Sequence, residues 1–157
     1  MDGPSGAGKS TLAAAVSAEL RAHGVRAGLI GTDDFATWDD PVSWWPRLVR
    51  GVLTPLSAGR AGGYRRMDWP GGQPRLGAFV AVEVPEVLIL EGVSAGRRSV
   101  RPVLSQLHWV DGPAPPTRLK RVVSRDGEAA REELRRWQLF ERGWFAVDGT
   151  REAADSR

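Results

Sequence analysis

One short motif near the start of the chain constrains its fold more than any other feature. Residues 3–10 read Gly-Pro-Ser-Gly-Ala-Gly-Lys-Ser, a full match to the pattern G-x-x-x-x-G-K-[ST]. Glycines at these positions let the backbone turn tightly, so that successive N–H groups point inward and form a nest for an anion at the start of a helix. The motif therefore predicts a phosphate-binding loop that leads directly into a helix.

The sequence after the motif has the expected helical pattern. Apolar residues recur at every fourth position from Leu12 to Leu20, and Gly24 follows as a stop signal, which predicts a helix over residues 10–23. One of only two lysines in the chain, Lys9, occupies the lysine position of the motif. Both observations argue against a glycine-rich loop that matches the pattern by chance.

The same motif predicts a cofactor, ATP with Mg²⁺. In this kind of loop, also called Walker A, the Lys9 ammonium would reach the β- and γ-phosphates, and the Ser10 hydroxyl would bind Mg²⁺. The predicted nucleotide-binding residues are Gly3, Ser5, Gly6, Ala7, Gly8, Lys9, Ser10 and Thr11.

The rest of the chain alternates apolar runs with helical patterns. Strands are predicted over residues 27–30, 87–90 and 107–110, and helices over residues 46–56, 117–126 and 128–147. Pro55 is expected to end the first of these helices, and the Gly- and Arg-rich residues 58–75 are expected to be irregular or short extended structure. The alternation predicts an α/β fold of three layers around a parallel sheet.

Length and composition indicate one domain and exclude several other classes of protein. The 157 residues, 41% apolar and 26% charged, fit a single domain over residues 1–157, and the absence of cysteine excludes a disulfide framework. No apolar run has the length of a membrane span or the form of a signal peptide, so we expect a cytoplasmic protein with no membrane partner. A net charge of only +3, with basic and acidic residues interspersed, predicts no nucleic-acid partner, and the oligomeric state is left open.

The motif lies unusually close to the start of the chain. A loop of this kind normally follows a buried strand, but only Met1 and Asp2 precede Gly3. Residues 154–157 likewise contain no apolar run that would form a last strand. We therefore expect central or edge strands of the sheet to be truncated at both termini.

Three acidic residues follow predicted strands. Glu91 comes directly after residues 87–90, where a carboxylate would lie beside the phosphate loop and hold Mg²⁺. Asp33 and Asp34 follow residues 27–30, at the edge of the sheet where open α/β folds bind ligands. Strand alternation would point the two aspartates to opposite sides, so that one of them could accept a proton from a substrate hydroxyl. Helix capping is the alternative for the pair.

An arginine-rich segment over residues 115–127 is a candidate lid. Arg118, Arg121 and Arg125 have the spacing i, i+3, i+7, which places them on one face of a helix. Guanidinium groups on that face could clamp a phosphoryl group during its transfer. A solvated amphipathic helix is the alternative interpretation.

Six of the seven tryptophans divide into two groups. Trp137 and Trp144 follow the helical spacing of other apolar residues and are predicted to be core residues. Four others lie between the strand-end aspartates and the second strand, where an acceptor would enter: Trp38, Trp44, Trp45 and Trp69. Some of these could stack on a base, although packing is the more common role of a tryptophan.

Four segments, taken in order, resemble the uridine kinase-like family of P-loop nucleoside kinases: GPSGAGKST, TDDF, VLILEGV and RLKRVVSRDG. The likeness extends over nearly the whole chain and includes residues 136–141 and 150–155. Many NTPases share the phosphate loop alone, whereas the ordered set is far more specific. The resemblance implies a P-loop NTPase-like fold and transfer of the ATP γ-phosphoryl group to a hydroxyl of a nucleoside or similar small molecule.

The resemblance also implies roles for single residues. The first Asp of the family's D-x-F element is a general base, which implies that role for Asp33. The Glu of its E-G pair assists Mg²⁺, which implies Glu91, and the lid arginines that contact phosphates correspond to Arg121 and Arg125. Lys9, Asp33, Arg121 and Arg125 are therefore the candidate catalytic residues.

The acceptor side matches the family less closely. Uridine kinases hold ribose and base with a Tyr-Asp-aromatic element, whose nearest counterpart here, residues 64–69, has a different spacing. The position after D-x-F, usually aromatic, is Ala36. The candidate acceptor residues are Asp34, Tyr64, Arg66, Asp68 and Trp69.

Two alternatives to a nucleoside kinase stay open at this point. A nucleoside monophosphate kinase would use Arg65 and Arg66 to receive the phosphate of its acceptor. An ATP-binding module with little turnover would fit the short termini.

Overall fold

The computed structural model describes all residues, Met1–Arg157, and has a parallel sheet at its centre. Strand β1 (Ala27–Gly31) pairs in parallel with a second strand (Val87–Glu91), and Leu29 lies opposite Ile89. Both strands were predicted from their apolar runs, and each extends one residue further. The expected α/β fold with a parallel sheet is confirmed.

Met1 and Asp2 occupy the sheet position of the strand that precedes the phosphate loop. On one side, the Met1 ammonium group donates to the Leu90 carbonyl at 2.7 Å. On the other side, the Asp2 N–H donates to the His108 carbonyl at 2.9 Å, and the Val110 N–H donates to the Asp2 carbonyl at 2.9 Å. The first two residues therefore join the strand Val87–Glu91 to the segment around His108.

The last residues of the chain add a further extended segment beside His108. Ser156 forms a parallel bridge with His108, and the Trp109 N–H donates to the Ser156 carbonyl at 2.9 Å. Residues 1–2 and 154–157 thus contribute isolated bridges and no full strand, which agrees with the expectation of truncated strands. The predicted strand over residues 107–110 is present only as such bridges.

Residues 58–75, expected to be irregular or short extended structure, contain the first strand of an antiparallel hairpin. Strand β2 (Gly62–Asp68) pairs with β3 (Arg75–Val82), and the register shifts between Arg65 and Met67. The hairpin exposes large apolar side chains such as Phe79. An exposed ribbon lacks the clear apolar alternation of a half-buried strand, which is why the sequence pattern predicted no more than short extended structure for β2 and did not predict β3. The central strand Val87–Glu91 is therefore β4.

Residues 45–57 form one helical segment with an internal π turn. Helix α2 (Trp45–Leu48) leads into the π turn Val49–Leu53 and then into α3 (Thr54–Ser57). Pro55 lies in the first turn of α3, and the helical segment ends two residues later at Ser57, one residue beyond the predicted end. A proline ring clashes with the carbonyl four residues earlier in a regular α-helix, and the wider π turn avoids that clash.

Three longer helices complete the fold. The first, Lys9–Ala22, follows the phosphate loop and is α1; Pro115–Asp126 is α4, and Arg131–Asp148 is α5. Helices α4 and α5 pack together through a small apolar cluster that includes Val122 and Leu134. Around β1 and β4 lies the larger core, to which Phe35, Trp44, Trp45, Leu48 and Tyr64 belong. None of the helices combines the length and apolarity needed to cross a membrane.

Candidate functional site

The phosphate loop has a backbone that only glycine adopts easily. Gly6 and Gly8 have φ angles of 73° and 104°, and Gly8 lies directly before the first residue of α1. A Cβ atom on Gly6 would lie 2.6 Å from the carbonyl oxygen of Arg118, so the loop also packs closely against α4. Gly6 is therefore required both by backbone conformation and by space, and Gly8 by backbone conformation alone.

A cavity of about 390 Å³ lies in front of the loop. Six loop and helix residues of the motif line it: Ser5, Gly6, Gly8, Lys9, Ser10 and Thr11. Other elements add Asp33, Glu91, Arg121 and Arg125. All four predicted catalytic residues and both predicted metal ligands therefore lie around one cavity.

Gly3 and Ala7, also expected to bind nucleotide, do not line this cavity. A Cβ atom on Gly3 would lie 2.3 Å from the carbonyl oxygen of Val110, so Gly3 is required for packing against that segment. Ala7 is buried, and its N–H donates to the Pro4 carbonyl at 3.2 Å. These two residues therefore pack or hydrogen-bond within the protein on the side of the loop away from the cavity.

Lys9 and Ser10 already have protein partners. The Lys9 ammonium, 7% exposed, donates to the Pro4 carbonyl at 2.9 Å, and the Ser10 hydroxyl donates to Glu91 Oε1 at 2.9 Å. Burial raises the pKa of the Glu91 carboxyl, while the hydrogen bond from Ser10 and the charge of Lys9 act in the opposite direction. A hydroxyl and a carboxylate in contact are hard oxygen donors, which suit Mg²⁺.

No group of three or more acidic or histidine side chains forms a metal cage in the molecule. Mg²⁺ in phosphoryl-transfer sites is usually bound by one or two protein oxygens together with phosphates and waters. The pair of Ser10 and Glu91 fits that pattern, and these two residues would hold the ion.

Asp33 and Asp34 lie on a 3₁₀ turn, Thr32–Asp34, because β1 ends at Gly31. The two aspartates are not part of the strand, so the expectation that strand alternation points their side chains to opposite sides is wrong. Their surroundings nevertheless differ. Asp33 is exposed and lines the phosphate cavity. Asp34 Oδ2 accepts a hydrogen bond from the Tyr64 hydroxyl at 2.5 Å.

The Asp34–Tyr64 pair is partly withdrawn from water. Burial raises the pKa of the Asp34 carboxyl, and the hydrogen bond from Tyr64 opposes that shift. Burial and the hydrogen bond to Asp34 raise the pKa of the Tyr64 hydroxyl, which stays protonated and continues to donate. Asp34 therefore has a structural partner in this fold, whereas Asp33 faces the cavity.

The three arginines predicted to share one face of α4 do not all face the phosphate cavity. Arg121 and Arg125 line the phosphate cavity, and Arg121 Nη1 donates to the Gly6 carbonyl at 3.4 Å. Arg125 forms a two-pronged ion pair with Asp126, which raises the pKa of its guanidinium group. Arg118 is turned away and does not line the cavity, so the expected clamp of three arginines is reduced to two.

Arg118 instead binds a buried residue that the sequence analysis did not identify, Glu141. Glu141 lies on α5, is 1% exposed and accepts from Arg118 Nη1 at 2.9 Å. It also accepts from the N–H of Ser5 at 2.9 Å and from the Ser5 hydroxyl at 2.7 Å. A glutamate four residues after Trp137, on the apolar face of a helix, is the sequence signal that could have pointed to it.

A second cavity of about 400 Å³ adjoins the phosphate cavity and is lined by three tryptophans: Trp38, Trp69 and Trp137. Trp38 packs edge-to-face against the other two, with ring centroids 4.8 Å from Trp69 and 6.0 Å from Trp137. Asp33 and Arg125 line both cavities and so stand between them. Trp137, predicted to be a core residue, packs against the larger core and also lines this second cavity.

The remaining candidate acceptor residues lie outside both cavities. Tyr64 is buried against Phe35 with a centroid distance of 4.5 Å, and Arg66 forms an ion pair with Asp68 at 2.8 Å. Arg65 Nε donates to the Gly77 carbonyl within the hairpin. Of the five candidate acceptor residues, Trp69 alone lines the aromatic cavity.

No protein-family model and no curated protein matches this sequence. A solved structure of a possible uridine kinase from Bacillus stearothermophilus is similar to it, with a TM-score of 0.67 and 18% sequence identity. The similarity covers 99% of this chain and 84% of that chain. The two chains share a fold. The likeness of the sequence to uridine kinase-like P-loop proteins is therefore confirmed at the level of the fold.

Proposed function

We propose that this protein is an ATP-dependent phosphotransferase that transfers the γ-phosphoryl group to a hydroxyl of a nucleoside or similar small molecule. One observation carries the proposal: Asp33 and Arg125 stand at the boundary between a cavity in front of a phosphate loop and an aromatic cavity. A base and a cation at that boundary are the groups that transfer between two bound substrates requires. We treat residues 1–157 as one kinase domain with a lid over residues 115–127.

The phosphate cavity is proposed to bind ATP and Mg²⁺. On nucleotide binding, the Lys9 ammonium would exchange its bond to the Pro4 carbonyl for phosphate oxygens. Ser10 and Glu91 would hold Mg²⁺, whose charge offsets the negative charge of the phosphates. The ATP requirement favours a cytoplasmic location.

Asp33 is proposed as the general base. Its exposed carboxylate lines both cavities, so a hydroxyl bound between them could pass its proton to that carboxylate. Asp34 is a poorer candidate because its carboxylate is partly buried and accepts from Tyr64. Arg121 and Arg125 would stabilise the charge on the phosphoryl group during transfer.

The aromatic cavity is proposed to hold the acceptor. Tryptophan rings stack well on flat, unsaturated rings such as nucleobases. The charged residues that line this cavity are Asp33 and the paired Arg125 and Asp126, so its net charge is negative. An acceptor phosphate would be repelled there. Arg65 and Arg66, the arginines that could receive the phosphate of a monophosphate acceptor, lie outside both cavities, and this favours an unphosphorylated acceptor.

A coupled ADP-release assay tests the proposal. The purified protein is supplied with ATP·Mg²⁺ and, in separate reactions, with nucleosides, their 5′-monophosphates, or no acceptor. We expect at least one nucleoside to raise ADP release above the rate without acceptor, and its monophosphate to have no effect. Release with monophosphates alone would instead identify a monophosphate kinase. ATP binding with no acceptor-dependent release would identify a binding module.

A further inference from the structure

The contact between Glu141 and Ser5 links the phosphate loop to the far end of the chain. Glu141 lies in α5, and its two carboxylate oxygens accept three hydrogen bonds. Two come from Ser5, through its N–H at 2.9 Å and its hydroxyl at 2.7 Å, and one comes from Arg118 at 2.9 Å. All the donors to this carboxylate therefore belong to the phosphate loop or to α4, the helix that carries the lid arginines.

Both backbone polar groups of Ser5 are hydrogen-bonded to the ion pair of Arg118 and Glu141. Arg118 Nη1, which donates to Glu141, also donates to the Ser5 carbonyl at 3.1 Å. Ser5 lines both cavities, and Arg118 lies one turn of α4 before Arg121. The loop, α4 and α5 consequently meet at this one residue.

A carboxylate at this place is not explained by stability alone. A buried ion pair often contributes no more to stability than apolar residues of similar size, because both charges lose their hydration. Glu141 also carries a negative charge directly behind a loop whose motif is built to receive an anion. A neutral glutamine would lessen that repulsion, but its NH₂ group could not accept the bonds that one of the two carboxylate oxygens accepts.

We propose that Glu141 is a positioning residue of the phosphate loop. Its carboxylate fixes Ser5 in the conformation that keeps the loop open for phosphate and, through Arg118, fixes the loop relative to α4. The placement of Arg121 and Arg125 over the phosphate cavity then depends on the same carboxylate. This inference rests on the proposed function in one respect: the phosphate that the loop binds belongs to ATP.

The test compares Glu141→Gln with Glu132→Gln, a matched change at an exposed position of the same helix. Hydrogen–deuterium exchange is measured for peptides covering residues 3–10, and ATP·Mg²⁺ affinity is measured by calorimetry, with melting temperatures recorded in parallel. We expect Glu141→Gln to increase exchange in the loop and to weaken ATP binding about tenfold, the effect of losing a charge-assisted hydrogen bond. Glu132→Gln should behave as the wild type in both measurements.

A second variant keeps the proposal testable if Glu141→Gln does not fold. Ser5→Ala removes only the hydroxyl bond to Glu141 and keeps the backbone bond. It should raise loop exchange and weaken ATP binding in the same direction by a smaller factor.

Loop exchange that is unchanged in the folded variants would overturn the proposal, as would a lower melting temperature with unchanged ATP affinity. A wild-type protein that binds no ATP would overturn the proposed function instead. The exchange measurement would still decide the role of Glu141, so the two failures are distinguishable.

Discussion

Asp33 and Asp34 are neighbours in the chain and have opposite surroundings. Asp33 is exposed at the boundary of two cavities, while Asp34 is partly buried and accepts a hydrogen bond from Tyr64. The same residue type is thus suited to proton transfer at one position and to holding a tyrosine at the next. The difference comes from the turn Thr32–Asp34, which sends the two side chains to different partners.

Replacing Asp33 tests its role as base. Asp33→Asn removes the proton acceptor and keeps the shape of the side chain, so we expect turnover of the acceptor to fall by about 10²–10⁴. ATP affinity should change little. Asp34→Asn is the matched control and should lower turnover far less, since Asp34 does not line either cavity. Reversed phenotypes would assign the base to Asp34.

Lys9 offers a direct test of nucleotide binding. Lys9→Ala removes a charge-assisted contact to phosphate worth about 1.5–3 kcal/mol, which corresponds to roughly a tenfold to hundredfold loss of ATP affinity. Lys120, the other lysine, is exposed on α4 and provides the control variant Lys120→Ala. Equal ATP affinity in the wild type and Lys9→Ala, measured by calorimetry, would contradict the prediction.

Helix α4 shows how one helical face can serve two purposes. Arg118, in the first turn, is partly buried against Glu141 and Ser5, whereas Arg121 and Arg125 face the phosphate cavity. The spacing of the three arginines is the same as in an exposed amphipathic helix. Their separate tasks arise because α5 covers the first turn of the face and leaves the later turns open.

The two cavity-facing arginines are expected to act on the transfer step. Arg125→Ala should lower kcat and kcat/KM together by about a hundredfold, because it removes a group that stabilises charge developing in the transition state. Arg121→Ala should act in the same direction. Lys120→Ala, on the same helix, should leave both constants unchanged. A higher KM for ATP with an unchanged kcat would show that the arginines serve ground-state binding only.

The side chain of Asp2 binds two segments of the molecule that are far apart in the chain. Its carboxylate is fully buried and accepts from the N–H of Gly3 at 2.7 Å and from that of Gly96 at 2.8 Å. It therefore connects the start of the phosphate loop to the segment that follows β4. Burial raises the pKa of the Asp2 carboxyl to about 6, and these two hydrogen bonds limit the shift.

This raised pKa predicts a stability change with pH. Because the folded state holds the Asp2 proton more tightly than the unfolded state, the contribution of Asp2 is fully present below about pH 4 and is lost as the pH rises through about 6. The loss is on the order of 3 kcal/mol, from a shift of about two pKa units. Denaturant unfolding at pH 4 and pH 7 measures it, with Asp2→Asn as the comparison.

The difference in unfolding free energy, wild type minus Asp2→Asn, should decrease from pH 4 to pH 7. Titrations of other residues, such as Glu91 and Asp34, occur in both proteins and cancel in this difference. A difference that is constant or increases with pH would show that Asp2 titrates at or below its ordinary value.

The phosphate loop, α1, β1, β4, α4 and α5 could all be predicted because their signals are local. A motif of fixed spacing, an apolar run or a helical period is contained in one stretch of chain, and short-range sterics and burial then decide its conformation. The same locality explains why Lys9, Ser10 and Glu91 could be named beforehand, since each of them follows directly from such an element or belongs to it. Helical spacing put the three arginines of α4 on one face, and only the family resemblance singled out Arg121 and Arg125.

Contacts between distant parts of the chain could not be predicted from local sequence patterns. Ser5 and Glu141 are 136 residues apart, and no local pattern pairs them. The bond between Asp34 and Tyr64, the place of Trp137 at a cavity and the pairing of Ser156 with His108 are of the same kind. Such contacts depend on how complete elements pack against each other, so folding itself decides which of two adjacent aspartates faces the phosphate cavity.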